Sequence, residues 1–468
     1  MNRKFFAVAA MLLLMPLLMG AQALKGSYFL DNSLNRNKLN PAFAPQSGYL
    51  QIPVIGNTSV GLLSNLDLQT FMYPMNGQVY TFLNKNVSLE QFDAALAGKP
   101  HFDVATDINL INFGFKGGER GFWTVDFGMR VNADMDLPRD LFIFMKKGSG
   151  TSGTYNIGAV HANAAVSMQA ALGYSRDLSD LVEGLRVGAK ARAILPVAYL
   201  GLDFNTVSLT TSPEKWTVKT DGTFNAAVKG LEMTDASGEL APSMTGTPGL
   251  AGFGFSVDLG AEYKLDFDGF INGVAFSAAV TDLGTVNYNA DAVQAYGTNG
   301  QMDWTGLSIS LEEGAMDDAM AELENEFGNL LSLNELGNAS EFSRSTLPSF
   351  YLGAEMPFLN NTMSIGALYS ARKSYVATRN ELTLSYNLNP VKWFSAGLNY
   401  SFLNTTKTLG WLLEFNPKAG PCFFIGSDYF FFEKAKLPDS ELPIQYIPMS
   451  WRFNVHFGLA VALGGGKK

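Results

Sequence analysis

The stretch RFNVHFGLAVAL, residues 452–463, decides the fold. Every second position is apolar: Phe453, Val455, Phe457, Leu459, Val461 and Leu463. The positions between them carry Arg452, Asn454 and His456, followed only by Gly and Ala. Successive side chains of a β-strand point to opposite faces, so this pattern predicts a strand with one apolar face and one polar or small face. The stretch is long enough for one tilted membrane crossing, which takes about 9–11 residues.

The same alternation recurs along the chain. It is unbroken or nearly so in 123–133, 185–195 and 253–265, and shorter versions occupy 166–174, 382–388 and 394–402. Strands of globular proteins are usually about 5–6 residues long, so the longer stretches favour a membrane. In lipid every backbone N–H and C=O must be paired within the protein, and a closed barrel achieves this without an edge. We therefore predict an all-β fold, a transmembrane antiparallel β-barrel over residues 48–463. The alternative is a secreted soluble β-protein.

Charged side chains fall in the middle of the predicted strands, on their polar faces. We expect the following to line the interior of the barrel: Arg130, Arg186, Lys190, Arg192, Asp258, Glu262, Lys264 and His456. Such charges would be costly in a dry core, whereas a wet interior accommodates them. On this interpretation His456 is an interior residue rather than a catalytic one.

The first residues predict export. Asn2-Arg3-Lys4 is positive, residues 5–19 are mostly apolar, and Ala21-Gln22-Ala23 has the small-x-small form of a cleavage site. We predict a signal peptide over residues 1–23, a mature chain beginning near Leu24, and delivery to the outer membrane of a Gram-negative cell. The alternative, an N-terminal anchor helix, is disfavoured because the apolar run is short for a membrane span.

Composition excludes several function classes. Cys422 is the single cysteine, so no internal disulfide can form, and three His leave little material for a metal site or a histidine-based catalytic set. The net charge of -10 argues against a nucleic-acid partner, whose binders carry a basic footprint. We find no nucleophile elbow, phosphate loop or zinc motif, and we predict a protein that is not an enzyme and needs no cofactor or metal.

Other segments do not alternate. Residues 24–47 are rich in Asn, Pro and Ala, Ser88–Ala97 predicts a short helix with a Ser-x-x-Gln cap, and 226–251 predicts a long loop. Residues 315–331 predict an amphipathic helix within the acidic stretch 312–335. That stretch could bias a pore mouth against anions or hold divalent cations, although a solvated helix face in a loop outside the barrel is the favoured interpretation. Tight turns are predicted at Gly117-Gly118, Asp268-Gly269, Asn299-Gly300, Asn360-Asn361 and Asn389-Pro390.

Two stretches of the sequence resemble those of known families. Asn40-Pro41-Ala42 resembles the N-terminal Asn-Pro-Ala element of FadL-type outer-membrane transporters and of PorP/SprF-type barrels of Bacteroidota. KLNPAFAPQSGYLQIPVIGN, residues 38–57, and STLPSFYLGAEMPF, residues 345–358, resemble an uncharacterised Bacteroidota barrel family, a domain of unknown function. The FadL-type resemblance implies about 14 strands, an N-terminal segment that plugs the barrel as a hatch, and hydrophobic substrates. Alternatively, Asn-Pro is an ordinary turn initiator.

These observations lead to one functional prediction and one rival. We predict a monomeric outer-membrane barrel, contacting lipid and inserted by the barrel assembly machinery. It would take up small hydrophobic molecules passively, with residues 24–47 as a plug. The rival is a non-transport role, as an anchor or docking platform for surface proteins or a secretion system. One feature is untypical, since the last strand ends at Leu463 and a short tail, residues 464–468, rather than on an aromatic residue.

Overall fold

The computed structural model describes residues 24–66, 68–75, 78–96, 98–148, 152–212, 215–234, 240–244, 246–298, 300–304, 333–335, 340–403, 407–430, 434–436, 446–448 and 452–464. Several predictions therefore lie outside the described residues: the signal peptide, the helix 315–331, most of the acidic stretch, Asn299 of the turn Asn299-Gly300, and residues 465–468 of the tail.

Within these ranges, fourteen antiparallel strands close into one barrel. They are β1 (Tyr49–Gln51 and Thr58–Ser64), β2 (His101–Lys116), β3 (Gly121–Asp136), β4 (Gly153–Asp177), β5 (Leu185–Thr211), β6 (Gly252–Asp266), β7 (Gly273–Tyr288), β8 (Phe342–Ser345 and Ser349–Phe358), β9 (Met363–Lys373), β10 (Thr378–Val391), β11 (Phe394–Leu403), β12 (Lys407–Phe415), β13 (Ala419–Phe430) and β14 (Phe453–Leu463). Each strand pairs with the next along the chain, and β14 pairs with both segments of β1. The prediction of an all-β barrel of about 14 strands is confirmed.

Side-chain exposure in the barrel is the reverse of that in a soluble protein. In β14 the large apolar side chains at alternate positions from Val455 to Leu463 are 39–57 % exposed, whereas Asn454 and His456, on the other face, are 1 % exposed. The same holds in β6, where Phe255 and Leu259 are exposed and Asp258 is buried. An apolar outer band with a polar interior is the pattern of a membrane barrel, because the outer face meets lipid. A soluble β-protein would bury its apolar face instead.

The connections after β2, β4, β6, β8, β10 and β12 lie at one end, which we call the short-turn end; the opposite end, which carries the longest connections, is the long-loop end. Gly118, Gly269, Asn360 and Asn361 have φ between 55° and 127° in these turns, as predicted. The predicted turn at Asn389-Pro390 is wrong. Both residues belong to β10, where the pairing with β11 shifts register between Leu388 and Val391. Such an irregularity tolerates proline, which has no N–H to donate.

Two strands run well past the length of a membrane crossing. β4 has 25 residues and β5 has 27, and the far part of β5 pairs with a strand at Trp216–Val228. That strand pairs in turn with Val293–Thr298 and Gln301–Trp304. The predicted loop 226–251 is therefore wrong in part: its start ends a strand, and Leu231–Thr234 pairs with Leu240–Met244. Outside the membrane, pairing no longer requires an apolar residue at every second position.

Short helices and hairpins cover the long-loop end. The helices are α1 (Leu68–Phe71), α2 (Leu89–Ala95) and α3 (Arg139–Lys147), and the small hairpins pair Met72–Met75 with Gln78–Thr81 and Lys434–Lys436 with Tyr446–Pro448. The Ser88 hydroxyl accepts from the Gln91 N–H at 3.1 Å, which confirms the predicted cap. No helix in the described part of the chain is long and apolar enough to cross a membrane.

Candidate functional site

Residues 24–47, which we call the N-terminal segment, lie against the inward faces of the barrel strands. The segment contains two 3-10 turns, Lys25–Ser27 and Arg36–Lys38. Its apolar side chains are buried against the wall, in a cluster made of Tyr28, Phe29, Leu39, Phe43, Ala279, Tyr351 and Leu368. The segment thus has a small apolar core of its own, surrounded by polar contacts.

Lys25 anchors one end of the segment to β10 and β13. Its ammonium group pairs with the Glu381 carboxylate and donates to the Tyr429 hydroxyl at 2.5 Å. The backbone N–H groups of Lys25 and Gly26 donate to the two carboxylate oxygens of Asp428, each at 2.9 Å. The Lys25 ammonium and the Asp428 carboxylate are thus buried within the barrel, and each has two polar partners, as a buried ion requires.

Arg36 connects the middle of the segment to β6. It pairs with Asp31 of the segment and with Glu262 at 3.5 Å, and Lys264 lies 3.3 Å from Asp31. Arg186 also reaches Glu262, at 3.7 Å. Burial acts to lower the pKa of the Arg36 guanidinium, but Asp31 and Glu262 raise it above its ordinary value. Arg186, Glu262 and Lys264, three of the expected interior residues, are thus brought together around the N-terminal segment.

Asn40, Pro41 and Ala42 form a tight turn on the wall. The Asn40 side chain donates to the carbonyls of Ala261 at 3.2 Å and Ala278 at 3.4 Å, and it accepts from the Ala42 N–H at 2.9 Å. The Asn40 side chain lies against Gly260 and the Pro41 carbonyl against Gly188. Asparagine is suited to this position, since its amide can close the turn and bond the strands at once.

A cavity of about 190 Å³ lies between the N-terminal segment and the long-loop end. Its charged lining among the described residues comprises Lys25, Lys38, Arg130, Lys190, Arg192, Arg344, Arg372, Arg379, Asp107, Asp126, Asp282 and Glu381. Lys190 pairs with Asp126 at 2.8 Å, and Arg130 lies 3.0 Å from Asp282. Eight cations therefore face four carboxylates in this lining, although the whole chain carries a net charge of -10.

The remaining expected interior residues are placed around this cavity. Arg130, Lys190, Arg192 and His456 line it, and Asp258 lies behind Arg192, to which it pairs at 2.8 Å. Burial lowers the pKa of the Lys38 ammonium nearby, although Asp107 acts in the opposite direction. No group of His, Cys, Asp and Glu side chains suited to a metal ion occurs among the described residues.

Sequence reasoning missed two groups of residues. It did not find Lys25 and its partners, because Glu381 lies 356 positions away and no local pattern connects them. It also missed Arg344, Arg372 and Arg379, which line the cavity. For Arg379 a signal was available in the sequence. Arg379, Glu381 and Thr383 occupy alternate positions, on the polar face of the strand predicted from the alternation over 382–388.

A protein-family comparison covers most of this fold. A family model matches residues 41–428. The chain belongs to DUF5723, a family of unknown function. The match begins at Pro41, within the turn formed by Asn40, Pro41 and Ala42, and extends into β13. A search of curated proteins found no match to this chain.

Several solved barrels are similar to this member of the family in architecture. The toluene transporter TbuX of Ralstonia pickettii is 9% identical, with coverage of 95% of this chain and 96% of that one and a TM-score of 0.40. The P. putida toluene transporter TodX is 9% identical, with coverage of 91% of this chain and 93% of that one and a TM-score of 0.38. The translocator domain of autotransporter NalP from Neisseria meningitidis is 8% identical, with coverage of 90% of each chain and a TM-score of 0.34.

Proposed function

We propose that this protein is a monomeric outer-membrane channel for the passive uptake of small molecules, closed by its N-terminal segment. The observation that carries the proposal is the position of that segment, inside the barrel and beside a cavity lined by interior side chains. In this proposal residues 1–23 direct export, the assembly machinery inserts the barrel, and the short-turn end faces the periplasm, as in other outer-membrane barrels.

The contacts of the segment suit a removable plug. The barrel strands pair with one another around the whole circumference, so wall hydrogen bonding does not depend on the segment. The polar contacts of the segment are ion pairs and hydrogen bonds, such as those of Lys25 and Arg36, for which water can substitute. Moving residues 24–47 would therefore open the lumen without unpairing the wall.

The chemistry of the cargo has two candidates. Hydrophobic molecules remain the prediction drawn from the FadL-type resemblance. The charged lining of the cavity favours a polar solute, because an apolar molecule would displace water from charged groups without replacing its hydrogen bonds.

A docking platform is the second candidate function. The observation in its favour is the sheet formed by the long parts of β4 and β5 with Trp216–Val228, which extends beyond the length of a membrane crossing. A platform requires no movement of the N-terminal segment.

Deletion of residues 24–47, with the signal peptide left intact, distinguishes a channel from a docking platform. The deletion variant and the whole protein would be compared in planar bilayers and in proteoliposome uptake, using toluene, succinate and neutral sugars as solutes. A channel predicts conductance and uptake in the deletion variant well above those of the whole protein. A variant that shows heat-modifiable gel mobility but no added conductance would contradict the channel and favour the platform.

A further inference from the structure

Three arginines gather at the long-loop end of the cavity. Arg344 lies on β8, Arg372 on β9 and Arg379 on β10, and all three line the cavity. Because these strands are neighbours, the three side chains share one part of the wall.

Arg372 and Arg379 are directly opposite each other in the pairing of β9 with β10. Like charges in that relationship destabilise a sheet. Asp103 lies 3.1 Å from Arg379, but without hydrogen-bonding geometry, and all three guanidinium nitrogens of Arg379 are buried without a hydrogen-bond partner in the described structure. No ion pair of Arg372 is found among the described residues. The pair is therefore short of acceptors on the cavity side.

Arg344 is held in one orientation by two aromatic rings. Its guanidinium carbon lies 4.8 Å from the ring centres of both Tyr199 and Tyr375, and it donates to the Asn163 side chain at 3.1 Å. Tyr375 belongs to the turn between Arg372 and Arg379, so the stacking brings Arg344 to the same hairpin. Stacked in this way, a guanidinium presents its edge, where its N–H donors point, to a ligand.

We infer that this end of the cavity binds a small oxyanion, a carboxylate or phosphate group, between Arg344 and Arg372, with Arg379 behind them. Guanidinium groups bind both kinds of group through paired hydrogen bonds. The nearby carboxylates of Asp103 and Asp134 do not line the cavity, and Asp134 is engaged by the Val376 N–H at 3.1 Å. The inference rests on the proposed function in that it names the class of cargo that the channel would take.

Calorimetry on the purified whole protein in detergent tests the site. Succinate and inorganic phosphate serve as probes, and succinamide serves as the uncharged match to succinate. We expect at least one anion to bind and succinamide not to bind. Arg344→Gln and Arg372→Gln should each weaken that binding about tenfold or more, since a charge-assisted hydrogen bond is lost. The stronger of the two probes assigns the group as carboxylate or phosphate.

Lys373→Gln is the matched control. It removes the same charge at the next position, but Lys373 is exposed, so it should leave the affinity unchanged. Heat-modifiable gel mobility identifies variants that fold; if Arg372→Gln does not fold, Arg372→Lys keeps the charge, loses the forked donors and should still weaken binding. Absence of binding by both anions, or equal weakening by Lys373→Gln, overturns the inference. Anion binding without conductance in the deletion variant would count against the channel alone, and conductance without anion binding against the oxyanion site alone.

Discussion

Gly188 and Gly260 lie directly opposite each other on β5 and β6, and the turn of Asn40 and Pro41 rests on this pair. We call the pair the glycine notch. A Cβ atom at Gly188 would meet the backbone of Pro41, and one at Gly260 would meet the Asn40 side chain, both far inside contact distance. The N-terminal segment can approach the wall here only because both positions lack a side chain.

Gly188→Ala should displace the N-terminal segment. The atoms that it would meet belong to the peptide group between Pro41 and Ala42, which cannot turn aside as a side chain can, and such overpacking costs about 1–3 kcal/mol. We expect a higher open probability in single-channel recordings and faster proteolysis near residue 40. Gly153→Ala is the control, since a Cβ there would have its nearest neighbour at 3.6 Å. Equal behaviour of the two variants would show that the notch does not hold the segment.

A disulfide at the same place should lock the proposed channel closed. In Asn40→Cys/Gly260→Cys the new sulfur at position 40 would take the place of the Asn40 Cγ, which lies 2.9 Å from a Cβ built at Gly260. That separation is compatible with disulfide geometry. The oxidised protein should not conduct, and a reducing agent should restore openings. The single variant Asn40→Cys should not respond to reduction, because Cys422 is buried elsewhere in the wall. Conductance that persists in a fully oxidised sample would argue against a moving plug.

The alternating pattern predicted barrel strands well where lipid imposes it. For residues 253–265 the observed strand is Gly252–Asp266, and for 452–463 it is Phe453–Leu463, because each outward position in a membrane must be apolar. For 185–195 the strand continues to Thr211, since water surrounds its far part and no longer selects one face.

The site was less accessible to sequence reasoning. Asn40 and Pro41 could be singled out from their order and composition, but the glycine notch depends on the register between β5 and β6. Register between neighbouring strands depends on the apolar pattern of both strands together and on the geometry of the turn that joins them, so neither strand's sequence fixes it alone. Lys25 lies in a segment without an alternating pattern, and its partners come from strands near the other end of the chain.

Leu459→Arg should destabilise the barrel in lipid. Leu459 is one of the exposed apolar residues of β14, and an arginine on the lipid face costs about 2–4 kcal/mol near the bilayer midplane and much less near its surface. Unfolding in urea from lipid vesicles would measure the difference. Leu181→Arg is the control, because Leu181 is 78 % exposed in a connection at the short-turn end. If both variants lose the same stability, β14 does not face lipid at Leu459.

Glu381→Gln should loosen the anchor at Lys25. The variant leaves the Lys25 ammonium buried without its carboxylate partner, which costs about 3–5 kcal/mol for a fully buried pair. The ammonium group keeps the Tyr429 hydroxyl, and the Lys25 backbone N–H keeps Asp428, so the loss should lie toward the lower end of that range. We expect more frequent openings than in the unaltered protein, measured as single-channel open probability. Glu183→Gln is the matched control, since it makes the same change at an exposed turn. Openings that increase equally in both variants would reflect net charge rather than the anchor. An increase confined to Glu381→Gln would identify the Lys25 contact as one that keeps the proposed channel closed.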